Sequence, residues 1–166
     1  MNIELVPVER KNAAVVSNLF ELYTHDFSEF LALDVGEDGR FGLAQASDCW
    51  DDPASTALFI KADRKLAGFA IVHHGSRVTD APDVMDVAEF FVLRRWRRLG
   101  VGTLAAHAMF RRDLGTWEVR VREGNPAALG FWPHAIRSFT GRDCRGELLR
   151  AKEANWQVFR FASRAP

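Results

Sequence analysis

Residues 91–103, FVLRRWRRLGVGT, join an apolar run to a segment with helical spacing. A strand, a glycine turn and a helix together present several unpaired backbone N–H groups at one point, where the helix dipole favours negative charge. Gly100 and Gly102 lack a Cβ, so a phosphate can approach the backbone closely. Further positive charge, suited to phosphate oxygens, comes from Arg94, Arg95, Arg97 and Arg98. The stretch therefore predicts an anion-binding turn; the alternative is a tight turn with solvated arginines.

Periodicity on either side of this turn predicts one mixed α/β domain over residues 1–166. Strands are expected at residues 3–8, 57–62, 65–73, 84–93, 116–122, 136–140 and 156–161. Helices are expected at residues 11–23, from about His25 behind a capping box of Asp26 and Glu29, at 100–113, and from Asn125. Asp63 and Arg64 are expected to turn a hairpin between the second and third strands. The acidic, glycine-containing segment 34–52 is expected to be a long loop or a broken helix.

Charge is distributed unevenly along a chain whose formal net charge is zero. Residues 1–55 carry eleven acidic and three basic side chains, a net charge of −8, and the remainder carries +8. The basic part suits an anionic ligand and the acidic part a cationic one, although both are also consistent with solvated surfaces.

Cysteine spacing and hydropathy exclude several classes of protein. Cys49 and Cys144 match no zinc or redox motif, and we predict no metal site. No apolar segment approaches the ~18 to 20 residues of a membrane span. The polar start NIELVPVERK is not typical of a signal peptide. We expect a cytoplasmic protein with reduced thiols and no membrane partner.

The anion bound by the turn has several candidates. Residues 100–105 fit the dinucleotide pattern G-x-G-x-x-G/A, with Glu118 eighteen residues beyond Gly100. In that fold, however, the acid ends a strand, whereas Glu118 lies near the start of one. A P-loop is excluded because no Gly-Lys-Ser/Thr follows the turn. Nucleic acid is disfavoured because the basic residues form no recognisable binding motif and the whole chain carries no net charge.

Two motifs together resemble those of the GNAT superfamily, the acetyl-CoA-dependent N-acetyltransferases. Arg97, Gly100 and Gly102 match its R-x-x-G-x-G pattern, and residues 125–132, NPAALGFW, are similar to its N-x-x-A-x-x-F-Y. The resemblance covers essentially the whole chain. It implies a single domain with a mixed, mostly antiparallel central sheet of six to seven strands, flanked by about four helices. It also implies acetyl-CoA as the cofactor and a homodimer as the assembly.

The resemblance assigns cofactor-binding roles to three groups of residues. The backbone of Phe91 and Val92 is expected to border the pantetheine arm. Asn125, Ala128 and Phe131 are expected to flank the same arm. The pyrophosphate is expected on the turn formed by Arg97, Arg98, Leu99, Gly100, Val101, Gly102 and Thr103.

Catalysis by acyl transfer to an amine requires a route for the amine's proton. Glu89, on the strand leading to the turn, is the candidate base; the alternative is an ion-paired strand residue. Trp132 stands where the resemblance implies a tyrosine acid, and an indole N–H does not release a proton to a thiolate. Tyr23 and His134 are the alternative acids, and both also fit structural roles, Tyr23 on a helix face and His134 in a loop after proline.

Residues 23–30, YTHDFSEF, are expected to form one wall of the acceptor site. Asp26 and Glu29 lie among aromatic rings, a composition suited to a cation, although Asp26 fits a helix cap equally well. The expected acceptor-binding residues are Tyr23, His25, Asp26, Phe27, Glu29, His73 and Trp132.

These observations predict an N-acetyltransferase that moves an acetyl group from acetyl-CoA to a primary amine of a small cationic acceptor. Direct transfer in a ternary complex is expected, because neither cysteine lies in a motif for an acyl-carrying nucleophile. The alternatives are acetylation of a protein amine and a non-catalytic CoA-binding sensor or interaction module, which Trp132 favours.

Overall fold

The computed structural model describes residues 1–42, 52–79, 81–150 and 154–164. One seven-stranded sheet has the order β1-β2-β3-β4-β5-β7-β6, and only β4 and β5 run parallel. The strands are β1 Ile3–Pro7, β2 Ser55–Ala62, β3 Lys65–His74, β4 Val84–Val92, β5 Gly115–Arg122, β6 Glu147–Arg150 and β7 Asn155–Ser163. The described ranges contain three α-helices, α1 Ala13–Phe27, α2 Val101–Arg112 and α3 Pro126–Thr140. The mixed, mostly antiparallel sheet is therefore confirmed.

Helices cover both faces of the sheet. In β3, Ala70 and Val72 pack with α2 and α3, whereas the alternating Phe69 and Ile71 pack with α1. Successive side chains of a strand point to opposite faces, so α1 lies across the sheet from α2 and α3. The core under α2 and α3 is built around Met109, Phe110, Trp117, Val119 and Ile136.

A β-bulge in β4 opens the centre of the sheet. Ile71 pairs with Glu89 and Val72 pairs with Val87, which leaves Ala88 without a partner. Ala88 packs in the core under α1, and the next residue, Glu89, also faces α1. A bulge bends its strand. Beyond Val87 and Val119, β4 and β5 no longer pair, so a cleft opens between their carboxyl ends.

The predicted helix start near His25 is wrong. Helix α1 continues through Asp26 to Phe27, because Tyr23 and Phe27, four residues apart, extend its apolar face with ring centroids 4.5 Å apart. Asp26 therefore lies in the last turn of α1 and caps no second helix. Its carboxylate instead pairs with arginines of the turn after β4.

The predicted strand 136–140 is also wrong, because α3 continues past Pro133 to Thr140. A proline costs a helix one hydrogen bond and a steric clash. The helical spacing of Trp132, Ala135, Ile136 and Phe139 keeps these side chains on the core and offsets that loss. Gly141, at φ +71°, ends the helix, and its N–H donates to the Arg137 carbonyl at 2.8 Å. The edge strand beside β7 is β6, which is not among the predicted strands.

The hairpin prediction is confirmed. Asp63 and Arg64 have φ values of +47° and +65° and connect β2 to β3. The expected loop 34–52 is described only in part, and residues 43–51, including Cys49, lie outside the described ranges. Its described part is tied to α1, because Glu21 accepts hydrogen bonds from the N–H groups of Phe41 at 2.8 Å and Gly42 at 3.3 Å. No helix in the described ranges is long and apolar enough to cross a membrane.

Candidate active site

A cleft of about 330 Å³ lies where β4 and β5 separate. Its walls come from the second half of α1, the segment after α1, the bulged part of β4, the end of β5 and the start of α3. Its lining includes Tyr23, Phe27, Leu31, Leu33, Ala88, Glu89, Phe90, Arg120, Arg122, Asn125, Ala128, Trp132 and Trp156.

The glycine turn ends in the N-terminus of α2. Gly100 is the N-cap at φ +80°, a left-handed conformation that favours glycine, and no side chain caps the first-turn N–H groups. A Cβ on Gly102 would lie 3.2 Å from the ring of Phe131, so this glycine allows α2 to pack closely against α3. Open space lies beside Gly100. The turn therefore presents uncapped N–H groups to solvent at the positive end of a helix.

Two arginines of the turn are held by α1. The Arg97 side chain donates from Nε to the Val92 carbonyl at 2.7 Å and forms an ion pair with Asp26. Arg94 Nη2 lies 2.7 Å from the other carboxylate oxygen of Asp26. Burial alone would raise the pKa of Asp26, but the hydrogen bonds from Arg97 and Arg94 hold that pKa below its ordinary value. Asp26 therefore connects α1 to the turn, whereas Arg95 and Arg98 form no ion pair with any described residue.

The start of α3 is fixed by Asn125. Its Oδ1 accepts the Ala128 N–H at 3.0 Å, an N-cap bond, and Pro126 occupies the first helical position. One turn further along, Phe131 stacks on Phe90 of β4 with ring centroids 5.9 Å apart. These contacts place the N-terminus of α3 against the cleft, where Asn125 and Ala128 line it.

Glu89 and Tyr23 face each other in the cleft. The Tyr23 hydroxyl donates a hydrogen bond of 2.6 Å to Oε2 of Glu89. Burial raises the pKa of the Glu89 carboxyl, although the bond from Tyr23 and the charge of Arg120 act in the opposite direction. Burial and the neighbouring Glu89 raise the pKa of Tyr23 well above its ordinary value. A buried carboxyl of this kind is suited to accept a proton, and the phenol retains its own at neutral pH.

The cleft contains some of the predicted acceptor residues and lacks others. Tyr23, Phe27 and Trp132 line it, and Trp132 is only 5% exposed. His25 and Glu29 are exposed and do not line it. His73 lies elsewhere, with Nε2 3.2 Å from Asp52 and Nδ1 2.9 Å from the Gly75 carbonyl oxygen.

His134 lies outside the cleft as well. The sequence predicts a loop at this position after Pro133, but His134 belongs to α3 and is exposed. The core-facing side of that helix carries Trp132, Ala135 and Ile136. His134 therefore points away from the residues that line the cleft.

Arg120 and Trp156 line the cleft, although neither is among the predicted site residues. Arg120 donates from Nε to Asp86 at 3.2 Å, and its guanidinium lies 5.2 Å from the ring centroid of Trp156. The alternation of Val119 and Val121 with Arg120 on β5 indicated a polar face. Nothing local indicated that this face would line the cleft.

A family model described as the acetyltransferase (GNAT) family matches residues 16–135, which is most of the chain. The chain belongs to this family. It is an N-acetyltransferase, and its acyl donor is acetyl-CoA. In this GNAT acetyltransferase the match runs from α1 to α3. It includes Glu89, the glycine turn and residues 125–132.

Solved structures share the fold of this GNAT acetyltransferase at low sequence identity. An acetyltransferase from Thermus thermophilus has a TM-score of 0.66 and 14% identity, over 98% of this chain and 97% of that one. Aminoglycoside acetyltransferase AAC(6')-Ib in complex with coenzyme A has a TM-score of 0.69 and 10% identity, over 97% and 95%. Spermidine N-acetyltransferase from Vibrio cholerae in complex with CoA and spermine has a TM-score of 0.60 and 12% identity, over 97% and 95%. No curated protein matches the sequence.

Proposed function

We propose that this N-acetyltransferase transfers the acetyl group of acetyl-CoA to a primary amine of a small cationic acceptor, directly and within a ternary complex. The observation that carries the proposal is the hydrogen-bonded pair of Tyr23 and Glu89 in the cleft between β4 and β5. This pair provides a proton acceptor at the point where the sheet opens.

The cofactor is held, in this proposal, by the glycine turn and the start of α3. Within residues 97–103, the first turn of α2 at 101–103 offers uncapped N–H groups, which suit the pyrophosphate. Phe91 and Val92 border the arm on one side, and Asn125, Ala128 and Phe131 border it on the other. The bound cofactor supplies the activated acyl carbonyl.

Glu89 then accepts the proton that the acceptor ammonium must lose before it can attack. Tyr23 fixes the carboxylate by donating to Oε2. The other carboxylate oxygen is the atom free to face the acceptor, and no other described residue donates a hydrogen bond to it. Of the two candidate acids for the leaving group, Tyr23 is the better placed, because it lines the cleft and His134 does not.

Direct transfer is supported by the environment of Cys144. Its Sγ donates to the Arg160 carbonyl at 3.4 Å, and burial raises the pKa of its thiol. A thiol in that state is a poor nucleophile. Cys144 also lies outside the cleft.

A small acceptor is supported by the size of the cleft. A volume of about 330 Å³ is at the low end of small-molecule sites, and an extended protein segment needs an open groove instead. The cationic nature of the acceptor amine is supported by Glu89 and by the ring face of Phe27. By their names, two of the structural relatives act on spermidine and on aminoglycosides.

Release of the CoA thiol, measured over a panel of small amines, tests the proposal. We first expect acetyl-CoA to raise the unfolding temperature, since a ligand at 100 times its Kd adds about 2.7 kcal/mol. We then expect saturable thiol release with small amines and slower release with lysine-containing peptides. A thermal shift without release from any amine would favour the CoA-binding module. Faster release with peptides would favour acetylation of a protein amine.

A further inference from the structure

Arg120 presents unused hydrogen-bond donors to the cleft. Its side chain is only 13% exposed, and Asp86, which accepts from Nε, is its hydrogen-bond acceptor among the described residues. The amino groups Nη1 and Nη2 bond to no described protein atom, and they are not among the buried unpartnered atoms, so they open onto the cleft. A largely buried guanidinium with free donors favours an anionic partner.

The orientation of this guanidinium is fixed from two sides. Asp86 is fully buried and holds Nε, and the Trp156 ring lies against the guanidinium at 5.2 Å. A planar group held in this way loses little conformational freedom when it binds a ligand, because its orientation is already set.

Arg120 and Glu89 line the same cleft without contacting each other. No ion pair joins them within the part of the chain that the structure describes, although the charge of Arg120 acts on both Glu89 and Tyr23. The cleft therefore has an acidic group and a basic group facing a shared space. A ligand with both an ammonium and a carboxylate complements this arrangement.

We infer that Arg120 binds a carboxylate of the acceptor, and that the acceptor is an amino-acid-like molecule with a primary amine close to that carboxylate. The inference rests on the proposed function: the amine faces Glu89, and the carboxylate lies beside Arg120. The cationic acceptor of the proposed function is then a zwitterion, in which the ammonium is the cationic group.

The rest of the cleft suits an apolar side chain on this acceptor. Phe27, Leu31 and Leu33 line the wall on the α1 side, and Trp156 lines the wall on the β7 side. Burial of an apolar group there adds affinity in proportion to the area removed from water. The preferred acceptors are therefore amino acids with apolar or aromatic side chains.

Matched pairs of acceptors test the inference in the unaltered protein. Each pair is an amine and the same molecule with an added α-carboxylate: phenethylamine with phenylalanine, and 3-methylbutylamine with leucine. Thiol release gives kcat/KM, and calorimetry in the presence of CoA gives Kd, so binding is measured even without turnover. We expect the carboxylated member of each pair to be favoured by at least about tenfold, as for hydrogen bonds to a charged group.

Substitutions then assign that preference to Arg120. Arg120→Gln combined with Asp86→Asn removes both charges and leaves no buried ion unpaired, so folding is retained. It should reduce the preference for the carboxylated member to about onefold. Arg120→Lys should keep part of the preference. Arg160→Gln combined with Glu118→Gln is the matched control, because it also removes an arginine together with its fully buried carboxylate partner, outside the cleft; it should leave the preference unchanged.

The outcomes separate this inference from the proposed function. Equal or weaker binding of the carboxylated members by the unaltered protein overturns the assignment of Arg120, whether or not plain amines are acetylated. A preference that survives in the double variant overturns it too. Absence of turnover with every amine contradicts the proposed function, whereas a calorimetric preference that depends on Arg120 still supports the carboxylate site.

Discussion

The Tyr23 hydroxyl lies 2.6 Å from Oε2 of Glu89 and joins α1 to β4 across the cleft, between residues 66 positions apart. The bond crosses from the helix that forms one wall of the cleft to the strand that leads to the glycine turn. Both groups have raised pKa values, chiefly because both are buried. Substitutions at the two positions separate what each contributes.

Glu89→Gln should lower kcat by about 10²- to 10⁴-fold, the usual contribution of a general base. The Kd of acetyl-CoA should change by less than about twofold, because the glycine turn is untouched. Steady-state thiol release and calorimetry measure the two quantities. Unchanged turnover across the pH range would remove Glu89 from the mechanism.

Glu89 should also make stability depend on pH. Because its pKa in the folded state is raised, the folded protein holds this proton to higher pH than the unfolded chain does. The contribution of Glu89 to the free energy of unfolding is fully present below its pKa in the unfolded chain. This contribution is lost as pH rises through its pKa in the folded protein. We therefore expect the unfolding temperature of Glu89→Gln to increase relative to that of the unaltered protein as pH rises between these two pKa values. A constant difference between the two proteins would contradict the prediction.

Tyr23→Phe distinguishes a positioning residue from an acid. The bond from Tyr23 lowers the pKa of Glu89, so its loss should move the acidic limb of the kcat/KM profile to higher pH. If Tyr23 also protonates the leaving thiolate, kcat should in addition fall at every pH, including the plateau above the acidic limb. A pH profile of both proteins decides between the two roles.

Asp26→Asn should strengthen CoA binding severalfold at low salt. The substitution releases Arg94 and Arg97 from an intramolecular carboxylate, so both become available to the phosphates. The gain should shrink with added salt because these charges are partly exposed. Calorimetry at two ionic strengths measures it. Weaker binding would mean instead that Asp26 orders the two arginines for the cofactor.

Two glycines offer a matched comparison. Gly130 lies in α3 with open space around its missing Cβ, so Gly130→Ala should raise stability by up to about 1 kcal/mol. A Cβ on Gly102 would press on Phe131 at 3.2 Å, so Gly102→Ala should gain less. It should also reduce the thermal shift given by acetyl-CoA, whereas Gly130→Ala should not. Equal shifts in both variants would place the pyrophosphate away from this turn.

Local patterns were sufficient to predict the turn, the helix start at Asn125 and the strand that carries Glu89. Each depends on glycine chemistry or hydrophobic periodicity within a few residues. The contact of Asp26 with Arg97 was not predictable in this way, because it joins residues 71 positions apart. The continuation of α3 past Pro133 likewise depends on packing against the sheet. The homodimer and the cytoplasmic location stay predictions.

Because Ala88 is unpaired, its deletion would change the shape of the cleft without reversing the strand. Deletion of Ala88 would place Glu89 directly after Val87 and restore the regular alternation of the strand. Val87 would still face α2 and α3, and Glu89 would still face α1. The carboxylate would keep its direction, but the strand would lose the bend that accompanies the separation of β4 from β5. The number of residues in β4 therefore determines the shape of the cleft. We expect homologues of this enzyme to tolerate insertions in the connections between elements while keeping the number of residues in β4 constant.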